Sequence, residues 1–178
     1  MSCNEHIYKQ LIKIGKLPDE SIDLFETVLI LNSINFSIDN TEAYRRHFIQ
    51  LCKSTKEYLI GTKKKSNVFQ RQEALSQILY KRYGYIGNRN ITNEKSANLF
   101  DMIKKRSGCH LMLGILYLSV AQKLKWHAQA ISFRKNLFLV RLETGGERLI
   151  INPFSGGHSL SIADIRKKLK INSSVEPD

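Results

Sequence analysis

The sequence lacks the features that mark a disulfide framework, a structural zinc site or a membrane span. It has three cysteines, Cys3, Cys52 and Cys109, an odd number with wide spacing. Disulfide scaffolds and zinc sites use closely spaced pairs instead. The five histidines are equally scattered, so neither a metal ion nor another cofactor is expected. The most apolar stretch, Leu111 to Leu124, is too short and too often interrupted by polar residues for a transmembrane helix.

The N-terminus also lacks the basic segment followed by a long apolar one that is typical of a secretory signal peptide. A cytoplasmic protein without membrane contact is therefore expected. With 178 residues, of which 42% are hydrophobic, the chain is long enough to bury a substantial core. We find no internal repeat and no clear linker, so a single domain over residues 1–178 is predicted.

Acidic residues are few. The chain has 16 Asp and Glu against 28 Lys and Arg, a formal net charge of +12, which attracts nucleic acid, acidic proteins and other anionic surfaces. None of the basic clusters is interleaved with aromatic residues as a base-stacking platform would be. A solvated basic surface is therefore favoured, and nucleic-acid binding stays open as an alternative. The clusters are Lys63–Lys65, Lys81–Arg82, Lys104–Arg106 and Arg166–Lys170.

Helical spacing of apolar residues dominates the first 106 residues, with residues 1–65 forming a helical N-terminal part. Asn93 is expected to cap the fourth of these helices, and Ser107-Gly108 to end it. The predicted helices cover residues 21–31, 41–60, 70–83 and 94–106.

The second half of the chain has a different pattern. Residues 109–124 form a helix that is apolar on nearly all sides, which indicates a central, buried position. Strands are predicted after it, and Gly145–Gly146 between two of them indicates a two-residue hairpin turn. A basic helix over 161–170 and a loose tail over 171–178 complete the chain. Helices followed by a small antiparallel sheet correspond to an α+β fold.

Three segments carry a family likeness: "YGYIGN" (83–88), "KKRSGCHLMLGILYL" (104–118) and "INPFSGG" (151–157). In this order and spacing they resemble the SirB-type transglutaminase-like proteins of bacteria, over about residues 70–170. The resemblance implies a transglutaminase- or papain-like core in which one buried helix packs on a small antiparallel sheet. Members often continue into a tetratricopeptide-like helical region, so a shortened or N-terminal form of the protein is expected here.

Active relatives of this fold place a cysteine at the head of the central helix, a histidine on the neighbouring strand and an aspartate on the next. Carried over by position, the cysteine role falls on His110, the histidine role on Leu137 and the aspartate role on Asn152. Cys109 lies one residue before the position of the nucleophile. The hairpin register places Asn152 opposite Leu139 and diagonal to Leu137. The resemblance thus implies the transglutaminase-like fold without the residues that catalyse its reaction. We expect a binding or regulatory module with a protein or peptide partner at the vestigial cleft, by which we mean Cys109, His110, Leu137 and Asn152.

A thiol enzyme using Cys109 stays open as the alternative, as an acyl transferase or amidase. His110 is a poor base for it because consecutive helical residues point about 100° apart. Asn136 carries an amide, which is no general base at neutral pH. His127 and His158 are weaker candidates at the ends of predicted strands or turns.

Overall fold

The computed structural model describes residues 3–36, 40–61, 66–89, 97–133 and 137–173. The helices are α1 (Cys3–Ile14), α2 (Leu24–Phe36), α3 (Glu42–Gly61), α4 (Val68–Leu75), α5 (Leu99–Lys105), α6 (His110–Lys123) and α7 (Ile162–Ser173). The strands are β1 (Ile86–Gly87), β2 (Ser107–Gly108), β3 (His127–Phe133), β4 (Leu137–Thr144), β5 (Glu147–Asn152) and β6 (His158–Leu160). A π-helical segment (Ser76–Arg82) continues α4, and a 3-10 turn (Pro153–Ser155) joins β5 to β6. The predicted α+β class is confirmed.

Helix α6 forms the centre of the core. Every residue from Met112 to Ala121 is buried, so the helix has no face that contacts solvent over this stretch. Strands β3 and β4 pack against it, and so do helices α2 and α3. The predicted central helix is therefore confirmed, and it lies between the sheet and the N-terminal helices.

Strands β3 to β6 form an antiparallel sheet in that order. The turn Gly145–Gly146 joins β4 to β5 with φ angles of +60° and +81°, as a type I′ hairpin turn requires. Val140 pairs with Ile151, so the next position in register puts Asn152 opposite Leu139. The predicted hairpin and its register are confirmed.

A second, two-stranded parallel sheet pairs β1 with β2, and Ile86 with Ser107. The N–H of Ile86 donates to the carbonyl of Arg106 at 2.8 Å, and that of Asn88 to the carbonyl of Gly108 at 3.0 Å. These bonds tie the loop after the π-helical segment to the residues just before α6. Sequence reasoning missed this pair, because strands of two residues are too short to show any periodicity.

The predicted fourth helix, residues 94–106, begins at Leu99 instead. Asn98 caps it, with Oδ1 accepting the N–H of Asp101 at 3.0 Å, and the predicted cap, Asn93, lies outside the described residues. The N–H of Leu99 donates to Oδ1 of the buried Asn32 on α2 at 2.7 Å. A partner from a distant part of the chain thus helps to fix where this helix starts.

Other boundaries differ in smaller ways. Helix α4 starts at Val68 rather than residue 70, because Asn67 and Gln70 form a capping box. Helix α7 runs through Ser173, so the predicted loose tail at 171–178 starts too early, and residues 174–178 lie outside the described part of the chain. Helix α1 and strand β6 were not predicted.

The sheet approaches α6 most closely at Gly114. A Cβ atom built there would lie 2.1 Å from Cδ1 of Phe138 on β4 and 2.4 Å from its Cε1. Such distances are far inside van der Waals contact, so the spacing between α6 and β4 requires glycine at this position.

Replacing Gly114 by alanine should lower the free energy of unfolding by about 1–3 kcal/mol, because Phe138 or the helix must move. Urea denaturation followed by circular dichroism measures this change. Gly61→Ala is the matched control, since nothing lies within 4 Å of a Cβ built at Gly61. Its effect should stay within about 0.5 kcal/mol, and equal effects of the two substitutions would contradict the packing described here.

Candidate functional site

Cys109 caps the N-terminus of α6, at the head of the buried helix as predicted. Its backbone is extended, with φ −75° and ψ 172°, and its thiol makes no capping hydrogen bond to the helix. Its carbonyl accepts the N–H of Leu113 at 3.1 Å. The side chain is half-buried. The first N–H groups of a helix and the positive end of its dipole favour an anion at such a position.

His110, the first residue of α6, stacks on Phe154 with ring centroids 3.6 Å apart and an interplanar angle of 10°. Phe154 belongs to the 3-10 turn after β5 and lies against the backbone of Gly87. A Cβ atom at Gly87 would fall 2.4 Å from the Phe154 carbonyl oxygen and 2.8 Å from its ring. Aromatic surface therefore fills the space beside the head of α6. Sequence reasoning missed this stack, whose two residues are far apart in the chain.

Leu137 begins β4 at the same end of the sheet. Strand β3 runs back along α6 after a tight turn, and its last residue, Phe133, pairs with Leu137. Leu137 therefore lies at the same end of the molecule as the head of α6, where its side chain is 5% exposed. The ring of the next residue, Phe138, packs against α6 at Gly114, so Leu137 points to the other face of the sheet. A buried hydrocarbon side chain at this position has no atom that accepts a proton.

Asn152, the last residue of β5, uses its buried amide within its own turn. Its Nδ2 donates to Oγ of Ser155 at 3.0 Å, and its Oδ1 accepts the N–H of Phe154 at 3.1 Å. Its carbonyl accepts the N–H of Gly157 at 3.0 Å. These bonds shape the turn that presents Phe154 to His110.

The remaining candidates lie in different places. His127 begins β3 at the opposite end, where it pairs with Glu143, and the length of β3 separates it from Cys109 by roughly 20 Å. His158 is exposed on the edge strand β6 and pairs with Asn152, so it lies at the same end as the cleft. Asn136 lies outside the described residues.

Other site types find no support in the described part of the chain. No three His, Cys, Asp or Glu side chains there lie close enough together to hold a metal ion. None of the described helices has both the length and the apolar character needed to cross a membrane. The second described thiol, Cys52, is buried in the core, and that burial raises its pKa to about 12, which keeps it protonated at neutral pH.

A cluster of polar side chains around Arg106 lies beside the cleft. This residue ends α5 in the left-handed conformation, with φ 54°. Its Nη1 donates to Oη of Tyr85 at 2.8 Å and to Nε2 of His47 at 2.6 Å. Because Nε2 accepts this bond, the imidazole is neutral. Burial, and next the charge of Arg106, lower the pKa of His47 from its ordinary value of 6.5 to about 4.

Aromatic rings line this group. The guanidinium carbons of Arg82 and Arg106 each lie 5.9 Å from the centroid of the Tyr83 ring, and that of Arg106 lies 5.1 Å from Tyr85. The sequence "KRYGY" at 81–85 therefore interleaves basic and aromatic residues. Sequence reasoning missed this arrangement around Lys81–Arg82, although its signal was present. We call the group the arginine–tyrosine cluster: His47, Arg82, Tyr83, Tyr85 and Arg106.

Comparison with known proteins gives a consistent result. The sequence profile of the transglutaminase-like superfamily matches residues 42–178, from the first residue of α3 through the whole cleft. A UPF0162 protein of Xylella fastidiosa (strain 9a5c) is 24% identical over 159 residues, covering 88% of this chain and 55% of its own length. One of Vibrio cholerae serotype O1 is 30% identical over 142 residues, covering 79% and 52%. The chain thus spans about half the length of the curated relatives it matches. No solved structure matches significantly.

Asn152→Ala should lower the free energy of unfolding by about 1–3 kcal/mol, because it leaves the N–H of Phe154 without its acceptor in a partly buried turn. Ser155→Ala removes only the acceptor of the Asn152 amide and should cost about 0.5–1.5 kcal/mol. Urea denaturation of both variants compares the two losses. A larger loss for Ser155→Ala would show that the amide oxygen is not the principal contact of Asn152.

The free energy of unfolding should fall as the pH is lowered from about 6.5 to about 4. Over this range the unfolded chain protonates His47 while the folded chain keeps it neutral, so protons favour unfolding. Above pH 6.5 the residue is neutral in both states and contributes nothing to the pH dependence. His47→Gln should reduce the slope measured by urea titrations across this range. A slope that His47→Gln does not alter would contradict a neutral, buried His47.

Proposed function

The chain belongs to the transglutaminase-like superfamily, and we propose that it acts there as a non-catalytic, SirB-type binding or regulatory module. Its partner is a cytoplasmic protein or peptide, and no cofactor takes part. The observation that carries the proposal is the chemistry of the cleft. The position that the resemblance assigns to the base is Leu137, and the adjacent residue of β4 that faces α6 is Phe138. Neither hydrocarbon side chain can take up the proton of a thiol.

The position assigned to the orienting acid supports the same function. In a thiol or serine triad, a third group holds the imidazole in the orientation and tautomer that accept the proton. Asn152 instead directs both ends of its amide into the Pro153–Ser155 turn, through Ser155 and the N–H of Phe154. Its role in this proposal is to shape the wall of the cleft.

The stack of His110 on Phe154 supports a packing role for this imidazole. Cys109 and His110 are consecutive at the start of α6, and side chains so placed on a helix point about 100° apart. A base for Cys109 would have to face the sulfur from another helix or strand, as in known thiol enzymes. In this proposal His110 contributes aromatic surface to the wall of the cleft.

Such a cleft is suited to hold a partner without cleaving it. Backbone N–H groups at the head of α6 can donate hydrogen bonds to an extended chain or an anionic group. Leu111, the second residue of the helix, is 44% exposed and adds apolar surface. A peptide laid across this end of the molecule would meet polar donors and apolar surface together, as in other peptide-binding grooves.

A cysteine-dependent acyl transferase or amidase is the second candidate, and the position of Cys109 favours it. Its half-buried thiol at the N-terminus of a buried helix has the position of the nucleophile in known thiol enzymes. The two candidates differ in whether Cys109 turns over a substrate.

Ester hydrolysis, amide hydrolysis and amine transfer to glutamine peptides should all proceed no faster with the chain than with Cys109→Ala. The expected result follows from the lack of a base in the Leu137 position. Steady-state rates measure it, and intact-mass spectrometry detects any acyl adduct, with Cys52→Ala as the control for the buried thiol. Turnover that falls by about a hundredfold or more in Cys109→Ala alone would establish the enzyme instead.

A further inference from the structure

The parallel pair β1–β2 brings two basic segments side by side. Residues 76–89 contain Lys81, Arg82 and Arg89, and residues 102–110 contain Lys104, Lys105 and Arg106, while neither segment has an Asp or Glu. The backbone bonds around Ile86 and Asn88 hold the two segments in register. One carboxylate borders this basic edge, because Asp101 pairs with Nζ of Lys105 at 2.8 Å. The basic edge leads directly into Cys109 and the cleft.

Within this edge the guanidinium of Arg106 is held in one direction. Its Nη1 donates to Tyr85 and His47, and its plane lies near the rings of Tyr83 and Tyr85. No hydrogen bond within the described residues uses its Nε or Nη2, and no described carboxylate pairs with it. An arginine fork fixed in this way can bind a carboxylate without losing much side-chain freedom.

The aromatic rings of the cluster are not available for stacking on nucleic-acid bases. Tyr85 is buried at 1% exposure, and the Tyr83 ring is already contacted by two guanidinium groups and the edge of His47. Single-strand binding proteins need open aromatic faces. Ile86, which is 61% exposed between the two basic segments, offers apolar contact instead. These features fit a peptide with acidic and apolar side chains better than they fit RNA or DNA.

We propose that the basic edge binds the acidic flank of a peptide whose neighbouring residues lie in the cleft, with Arg106 and Arg82 receiving its carboxylates and Ile86 an apolar side chain. This inference rests on the proposed function, because it takes the cleft as a peptide-binding site. It adds the chemical class of the partner, which is acidic and extended.

The test is fluorescence anisotropy of labelled 12-residue peptides against the 178-residue chain. One peptide alternates Glu with Leu, one alternates Gln with Leu and one alternates Lys with Leu, and a 12-nucleotide oligouridine represents nucleic acid. The Glu–Leu peptide should bind most tightly, and its affinity should fall as salt is raised. Arg82→Glu should weaken it by about five- to tenfold. Arg166→Glu on α7, which makes the same charge change at another exposed position, should weaken it less than about twofold.

The outcomes separate the two proposals. Equal binding of the Glu–Leu and Gln–Leu peptides, unaffected by Arg82→Glu, would overturn the acidic-partner inference and leave peptide binding by the cleft intact. Binding of none of the peptides would overturn both. Preference for oligouridine, weakened by Arg82→Glu but not by Arg166→Glu, would assign the basic edge to nucleic acid. Ile86→Gln gives a further check, because it removes the apolar contact without a change of charge and should weaken binding of the Glu–Leu peptide.

Discussion

The burial of α6 on every side is the constraint on which the rest of the structure depends. Because Met112–Ala121 has no face for solvent, the sheet must cover one flank and the N-terminal helices the other. The strands then run back along the helix, so the start of β4 and the end of β5 meet at its head. The cleft is thus a consequence of core packing, and Leu137 and Asn152 lie at this end whatever chemistry they carry.

Features that depend on near neighbours in the chain could be predicted from the sequence. The apolar surface of α6 and the Gly145–Gly146 turn each follow from a few consecutive residues. The position of this turn then fixes the register that places Asn152 opposite Leu139. The start of α5 could not be predicted, because the N–H of Leu99 bonds to Asn32 on another helix. Its position depends on tertiary packing that no local pattern encodes.

The candidate site divides in the same way. That Cys109 heads the buried helix follows from where the apolar run begins, and the hydrocarbon nature of Leu137 is visible in the sequence itself. The contacts of Asn152 with its own turn and the stack of His110 on Phe154 are not, since they depend on how the turn folds over the helix. Sequence reasoning could therefore identify the side chains at this end of the molecule, but not the contacts that they make.

The net charge of +12 alone would attract any anionic partner and would not distinguish one such partner from another. In salt of about 0.1 M such attraction is screened beyond about 10 Å, so selection must come from donors at fixed positions. The arginine–tyrosine cluster provides them, because Tyr85 and His47 hold the guanidinium of Arg106 in place. The β1–β2 pair then sets this fixed charge just ahead of Cys109. Local packing thereby gives a general positive charge a fixed direction beside the residues at the head of α6.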